Sequence, residues 1–181
     1  MTNFQVVYDS FLSKITDDMY CNWELTKQDT IGMLQELLLE AIPFFEFPKV
    51  NINDYVCEER IKTEDITESD FIDFDDAAEE VKPAPGHFNV DLTNEEVSIL
   101  STYMVVIWLG QQLASIENTR MKYSSSDFKM TSQANHMKAI SSLKKDYERE
   151  GFHLQRLYSR RRIDENGRTR STFDRIMFPE G

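Results

Sequence analysis

One stretch constrains the fold more than any other: LTNEEVSILSTYMVVIWLGQQLASIENTRMKY, residues 92–123. Thr93 with Glu96 three positions on is the signature of a capping box, in which each side chain satisfies the other's backbone amide at a helix start. Val97, Leu100, Met104, Ile107, Trp108 and Leu113 then recur at steps of three and four, while Ile99, Val105 and Val106 fall on other faces. A helix that is apolar nearly all round cannot face water on any side and has to be enclosed. The spacing therefore predicts a central helix over about 94–118 with the remaining elements wrapped around it.

The chain supplies suitable partners. Phe4, Val7, Phe11, Ile15 and Met19 make one apolar face over about 3–19. Thr26, with Asp29 behind it, is a good N-cap for a second helix over 26–42, with Ile31, Leu34, Leu37, Leu38 and Ala41 as its stripe and Pro43 as its stop. Met130, Ala134, Met137, Ile140, Leu143, Tyr147, Leu154 and Leu157 continue the pattern over 130–158, about 42 Å of helix, with Gly151 as the candidate kink. The expected fold is mainly α: one domain over 1–181, a helical bundle around a long central helix and a long C-terminal helix. Strand is expected only in 44–60 and in a C-terminal arm over 160–181, where Asn166-Gly167 is a strong hairpin turn signal.

Between the second and third helices lies an extended acidic loop, about 54–92, rich in Asp and Glu and ending in Pro83, Pro85 and Gly86. Its Ile66, Phe71, Ile72 and Phe74 are too sparse to build a core element. The chain is charged unevenly: residues 1–100 hold 23 Asp+Glu against 6 Lys+Arg, net −17, and residues 101–181 hold 9 against 14, net +5, which together give the formal −12. Such a chain is poorly suited as a whole to nonspecific nucleic-acid binding, and well suited to head-to-tail contact between copies.

Residues with catalytic or ligating chemistry are scattered. Cys21 and Cys57 are far apart in sequence, and His87, His136 and His153 have no Cys, His or carboxylate at a ligand spacing. The 6 glycines form neither phosphate-cradling pattern. DFIDFDDAAEE places Phe and Ala where a calcium loop needs its turn glycine. The expectation is a non-enzymatic protein with no cofactor and no metal. With no basic-then-apolar leader and a longest apolar run of 7 residues, Tyr103–Leu109, it is expected to be soluble and to have no membrane partner.

Two polar stretches remain. SDFKMTSQANHMKAI reads either as a capped helix start or as a polar docking surface carried by Asp127, Phe128, Lys129, Gln133 and Asn135. Arg156, Arg160, Arg161, Arg162, Arg168 and Arg170 admit three readings. Cations at a helix C-terminus complement its dipole. A nucleic-acid patch would want interleaved aromatic platforms, and only Tyr158 and Phe173 are near. A partner-binding arm would use guanidinium groups as bidentate donors to carboxylates, which the first half of the same chain has in excess.

The order of parts, VYDSFLSKITDDMY, LLLEAIPFFEFP, an acidic excursion, LTNEEVSILSTYMVVIWLGQQL, SDFKMTSQANHMKAI and LYSRRR, resembles the head-to-tail connector proteins of tailed bacteriophages, also called adaptor, head completion or neck proteins. The resemblance spans nearly the whole chain. It implies a virion protein that joins copies of itself in a ring, commonly of twelve, with the portal on one side, a tail protein on the other, and genomic DNA passing through the channel without specific binding. It implies an inter-subunit loop, here Asp70, Phe71, Asp73, Phe74, Asp75 and Asp76 by position, and a C-terminal arm docking on the portal or a neighbouring subunit, here the six arginines with Phe173. The rival from another class is a small regulatory nucleic-acid-binding protein using the same arginine arm, with a small enzyme of unrecognised type behind it.

Overall fold

A computed structural model of the chain describes residues 1–15, 27–57, 86–122, 130–163 and 169–171. Its elements are β1 (Thr2–Asn3), α1 (Phe4–Lys14), α2 (Lys27–Ala41), a 3₁₀ turn (Ile42–Phe44), β2 (Tyr55–Val56), β3 (His87–Phe88), α3 (Asn94–Lys122), α4 (Met130–Arg160), β4 (Arg161–Ile163) and β5 (Thr169–Ser171). The mainly α expectation holds, with four helices among the described residues.

α3 is the axis of the fold. From Glu96 to Leu109 every residue except Ser98 and Ile107 is buried, because α1, α2 and α4 each pack against α3 while α1 and α2 barely touch one another. The capping box forms: the Thr93 N–H donates to Glu96 Oε2 at 2.7 Å, and the Glu96 N–H donates to Thr93 Oγ1 at 3.3 Å. Trp108 lies in the core, 3% exposed. Asn94–Asn118 is long and apolar enough by length and composition to cross a membrane, which the shorter run Tyr103–Leu109 did not suggest; in this fold its 96–109 part is mostly buried against the other helices.

Several sequence expectations need correcting. The first helix, expected over 3–19, stops at Lys14: Ile15 is already extended, at φ −102° and ψ 131°, though still buried. Asn3 caps its start by accepting the Gln5 N–H at 2.9 Å. Pro43 does end α2, by converting it to the 3₁₀ turn. Met19 and Thr26 lie outside the described residues. α3 and α4 run on to Lys122 and Arg160, past the expected 118 and 158.

The acidic loop, expected to span 54–92, is structured at both ends. β3 pairs antiparallel with β1 on one side and β2 on the other, so strand also occurs at 2–3 and 87–88, outside the expected regions. The physical cause is Phe4. Fully buried at the start of α1, it is enclosed by Phe88 and Tyr55, with ring centroids at 4.8 and 6.0 Å. Gly86 completes the enclosure, since a Cβ there would fall 2.5 Å from the Phe4 ring. Residues 58–85 lie outside the described residues.

Gly151 is not a kink site. α4 is continuous through it, and its missing Cβ makes room for Tyr103, whose Cζ would stand 2.9 Å from one.

Candidate docking surface

α4 delivers the arginines to one end of the molecule. Arg156 and Arg160 lie exposed in its last turns, and the chain then turns into the hairpin β4–β5, in which Arg161 opposes Ser171, Arg162 opposes Arg170 and Ile163 opposes Thr169. The expected hairpin arm therefore forms, its two strands bracketing Asn166-Gly167. Arg168 and Phe173 lie outside the described residues, as do Asp70, Phe71, Asp73, Phe74, Asp75 and Asp76.

The arm is rooted in the core through side chains on three elements. Tyr158, in the last turns of α4, is buried and donates its hydroxyl to Glu96 Oε1 at the start of α3. Glu96 is 1% exposed, and its other oxygen is held by Thr93. The Tyr158 hydroxyl also accepts the Lys49 N–H at 3.0 Å. Lys49 then lays its ammonium over the Tyr158 ring, 4.3 Å from the centroid, and donates to the Arg161 carbonyl. Burial first, and the neighbouring carboxylate with it, pushes the Tyr158 phenol well above its usual range, so it remains a neutral donor at any ordinary pH.

A second link is ionic. Arg161 donates to Glu95 Oε1, and both side chains are close to half exposed. Arg161, expected to offer itself to a partner's carboxylate, is thus already engaged by one from its own chain. Arg156 and Arg160 sit further back on α4 and Arg162 and Arg170 further out on the arm, so the five described arginines are not equivalent.

One turn back along α4, Gln155 ties down the segment after α2. Its amide oxygen accepts the Glu46 N–H at 3.0 Å, and its Nε2 donates to the Phe44 carbonyl at 2.8 Å and to the Tyr103 hydroxyl at 2.6 Å. Glu95, Lys49, Gln155 and Tyr158 are the residues that sequence reading missed. A signal existed only for Glu96, through the capping box; the others act across more than fifty residues of sequence, where periodicity carries no information.

The second expected surface is distant. Asn135 is exposed near the start of α4, 25 residues and therefore about 38 Å from Arg160. Gln133 is on the same opening turns, and Asp127, Phe128 and Lys129 lie outside the described residues. The two polar surfaces are at opposite ends of one helix.

Elsewhere, Lys14 is half-buried between α1 and α3, donating to Thr102 Oγ1 at 3.0 Å and Ser98 Oγ at 3.4 Å. Desolvation lowers its pKa, and Glu150 partly restores it. Among the described residues no three His, Cys, Asp or Glu side chains gather as a metal site. No family model, curated protein or solved structure matches the chain.

Proposed function

We propose that this protein is a structural subunit of a tailed bacteriophage virion, forming a ring that connects the capsid portal to the tail and surrounds the DNA channel. The observation that carries the reading is the rooted cationic arm. A chain of formal charge −12 holds a short arginine hairpin at the end of its longest helix, and fixes the root with a buried Tyr158–Glu96 pair and an Arg161–Glu95 bridge.

Anchoring of that kind suits an arm that transmits a docking contact to a rigid body, since ordering cost is met in advance. The partner's chemistry follows from the charges. Carboxylates complement guanidinium groups, and the acidic first half of a neighbouring copy has a large excess of them. Unlike ends meeting head to tail produce a ring when the rotation closes. A predominantly acidic wall would let duplex DNA pass, because phosphate contacts are what make DNA binding tight.

The test is the mass of the purified chain in solution with and without a candidate portal protein, followed by duplex-DNA binding across a salt series. The expected outcome is a closed ring or a portal-dependent complex, with weak binding to DNA. A chain that ignores portals and binds DNA with a steep salt slope and sequence preference would instead be a nucleic-acid-binding regulator.

A further inference from the structure

The outer crest of α4 is basic along most of its length. At about 100° per residue, Lys138, Lys145, Arg149, Arg156 and Arg160 fall within an arc of about 60°, and all five are exposed. Ile140, Gly151 and Tyr158, which are buried, lie on the opposite side, facing α3. The carboxylates of the same stretch, Asp146, Glu148 and Glu150, fall about 40° or more outside the arc. From Lys138 to Arg160 the rise is about 33 Å.

Little of this charge is neutralised within the chain. Asp146 holds Arg149 at 2.6 Å, in a pair whose side chains are both exposed. Glu148 pairs with the half-buried Lys144 at 3.6 Å, away from the crest. Among the described residues, no carboxylate stands within ion-pair distance of Lys138, Lys145 or Arg156. In a chain with 32 Asp+Glu against 20 Lys+Arg, a crest of this length clear of acid is a surface that an anionic partner fits.

The rest of the molecule carries the matching surface. Among the side chains described before α4, Lys49 is the one exposed Lys or Arg, against exposed carboxylates on α1, on α2 and in the segments between α2 and α3. Within 31–41 of α2 the exposed residues are Glu36 and Glu40, one turn apart and so about 6 Å along one ridge. Lys145 with Arg149, and Arg156 with Arg160, repeat that four-residue step on the crest. The chain's own α2 packs on α3, from which the crest faces away, so the ridge that meets the crest belongs to another copy. Nucleic acid fits less well. Phe152 is the one exposed Phe, Tyr or Trp of α4, where a single strand wants successive stacking platforms, and the acidic remainder repels phosphate.

We propose that the basic crest of α4 docks the acidic α2 ridge of a second copy, with Glu36 and Glu40 laid along Lys145, Arg149 and Arg156. The two faces are different, so the contact is head to tail and closes into a ring when the rotation allows. The proposal rests on the ring reading and names the faces that the copies use; the hairpin beyond Arg160 is left to the portal. Both copies have the same sign of net charge, but that repulsion is screened over about 8–10 Å, while charges in direct contact keep their attraction.

Charge exchange on the full-length chain tests it, read as mass in solution at low salt. The parent should self-associate. Lys145→Glu with Arg149→Glu, or Glu36→Lys with Glu40→Lys, should each weaken that association by at least about tenfold, with helical circular dichroism unchanged. Mixing the two variants should restore it, because the intact ridge of one meets the intact crest of the other. A parent that stays monomeric at its highest soluble concentration, a variant that associates as the parent does, or a mixture that stays dissociated overturns the proposal. The two readings fail separately: variants that associate normally and still bind a portal sink the docking faces alone, whereas charge exchange that succeeds in a chain that ignores portals sinks the connector alone. A crest variant that associates normally but loses affinity for duplex DNA assigns the crest to phosphate.

Discussion

Tyr103 meets α4 at Gln155 and Gly151 and the segment after α2 at Phe44. Its hydroxyl accepts from Gln155, its ring carries Phe44, and its ring edge fills the space beside Gly151. Gly151→Ala should reveal the balance. In an exposed helix the change gains up to about 1 kcal/mol, but here the new Cβ meets Tyr103 Cζ at 2.9 Å and its hydroxyl oxygen at 3.2 Å, and the ring is held by its stack with Phe44 and by the hydroxyl's bond from Gln155. Overpacking of this kind costs about 1–3 kcal/mol, so the variant should unfold at lower denaturant than the parent; a more stable variant would mean the ring moves freely. Titration gives a second prediction. Burial, as the main cause, raises the phenols of Tyr8, Tyr103, Tyr147 and Tyr158 above the ordinary value of 10.0. Above that pH the unfolded chain releases protons that the folded chain keeps, so stability falls as pH rises. Lys14, with its pKa lowered, acts oppositely: its cost at neutral pH is relieved as pH rises through its folded pKa. Four phenols outweigh one amine, and denaturant midpoints measured from pH 9 upward should decline beyond about 10, less steeply in Tyr8→Phe.

Among the elements, α3 bears most directly on what periodicity can show. Trp108 is expected in the core because apolar residues surround it on every helical face, and its 3% exposure agrees. Trp108→Ala should cost about 3–5 kcal/mol, read as a loss of unfolding free energy; a variant of parental stability would show that this face is not packed. Helix positions were legible for the same reason: Leu34, Leu37, Leu38 and Ala41, or Ile140 and Tyr147, announce a face at local spacing. What was illegible depended on distant partners. Nothing near Ile15 signals the end of α1, and His87–Phe88 reads as a strand only once Thr2–Asn3 and Tyr55–Val56 lie beside it to enclose Phe4. The candidate site divides the same way. The arginine hairpin was readable from Asn166-Gly167, whereas its attachment through Lys49, Glu95 and Tyr158 joins three separated segments.

At the scale of the whole molecule, the question is whether the arm's charge serves the chain itself or a partner. Arg161 answers in part, since its bridge to Glu95 is internal. An exposed pair of that type is worth about 0–1 kcal/mol, too little for its loss to unfold the protein. Replacing Arg160, Arg161 and Arg162 together by Ala should accordingly leave helical content unchanged, because the buried hold on the arm's root runs through Tyr158 and Glu96. If the hairpin docks on carboxylates, as proposed, removing each charge-assisted hydrogen bond costs about 1.5–3 kcal/mol. Removing two should weaken ring or portal attachment by at least a hundredfold, or about 3 kcal/mol. Glu95→Gln separates the internal bridge from the docking contact. It frees Arg161 without removing a cation, so attachment should hold or tighten slightly, whereas a weakening comparable to that of the triple variant would mean that the bridge itself positions the arm. Added salt should weaken attachment of the parent chain over the range where screening shortens below about 8–10 Å, and should affect the triple variant less. A triple variant that assembles normally but loses affinity for duplex DNA would assign the arginines to phosphate instead.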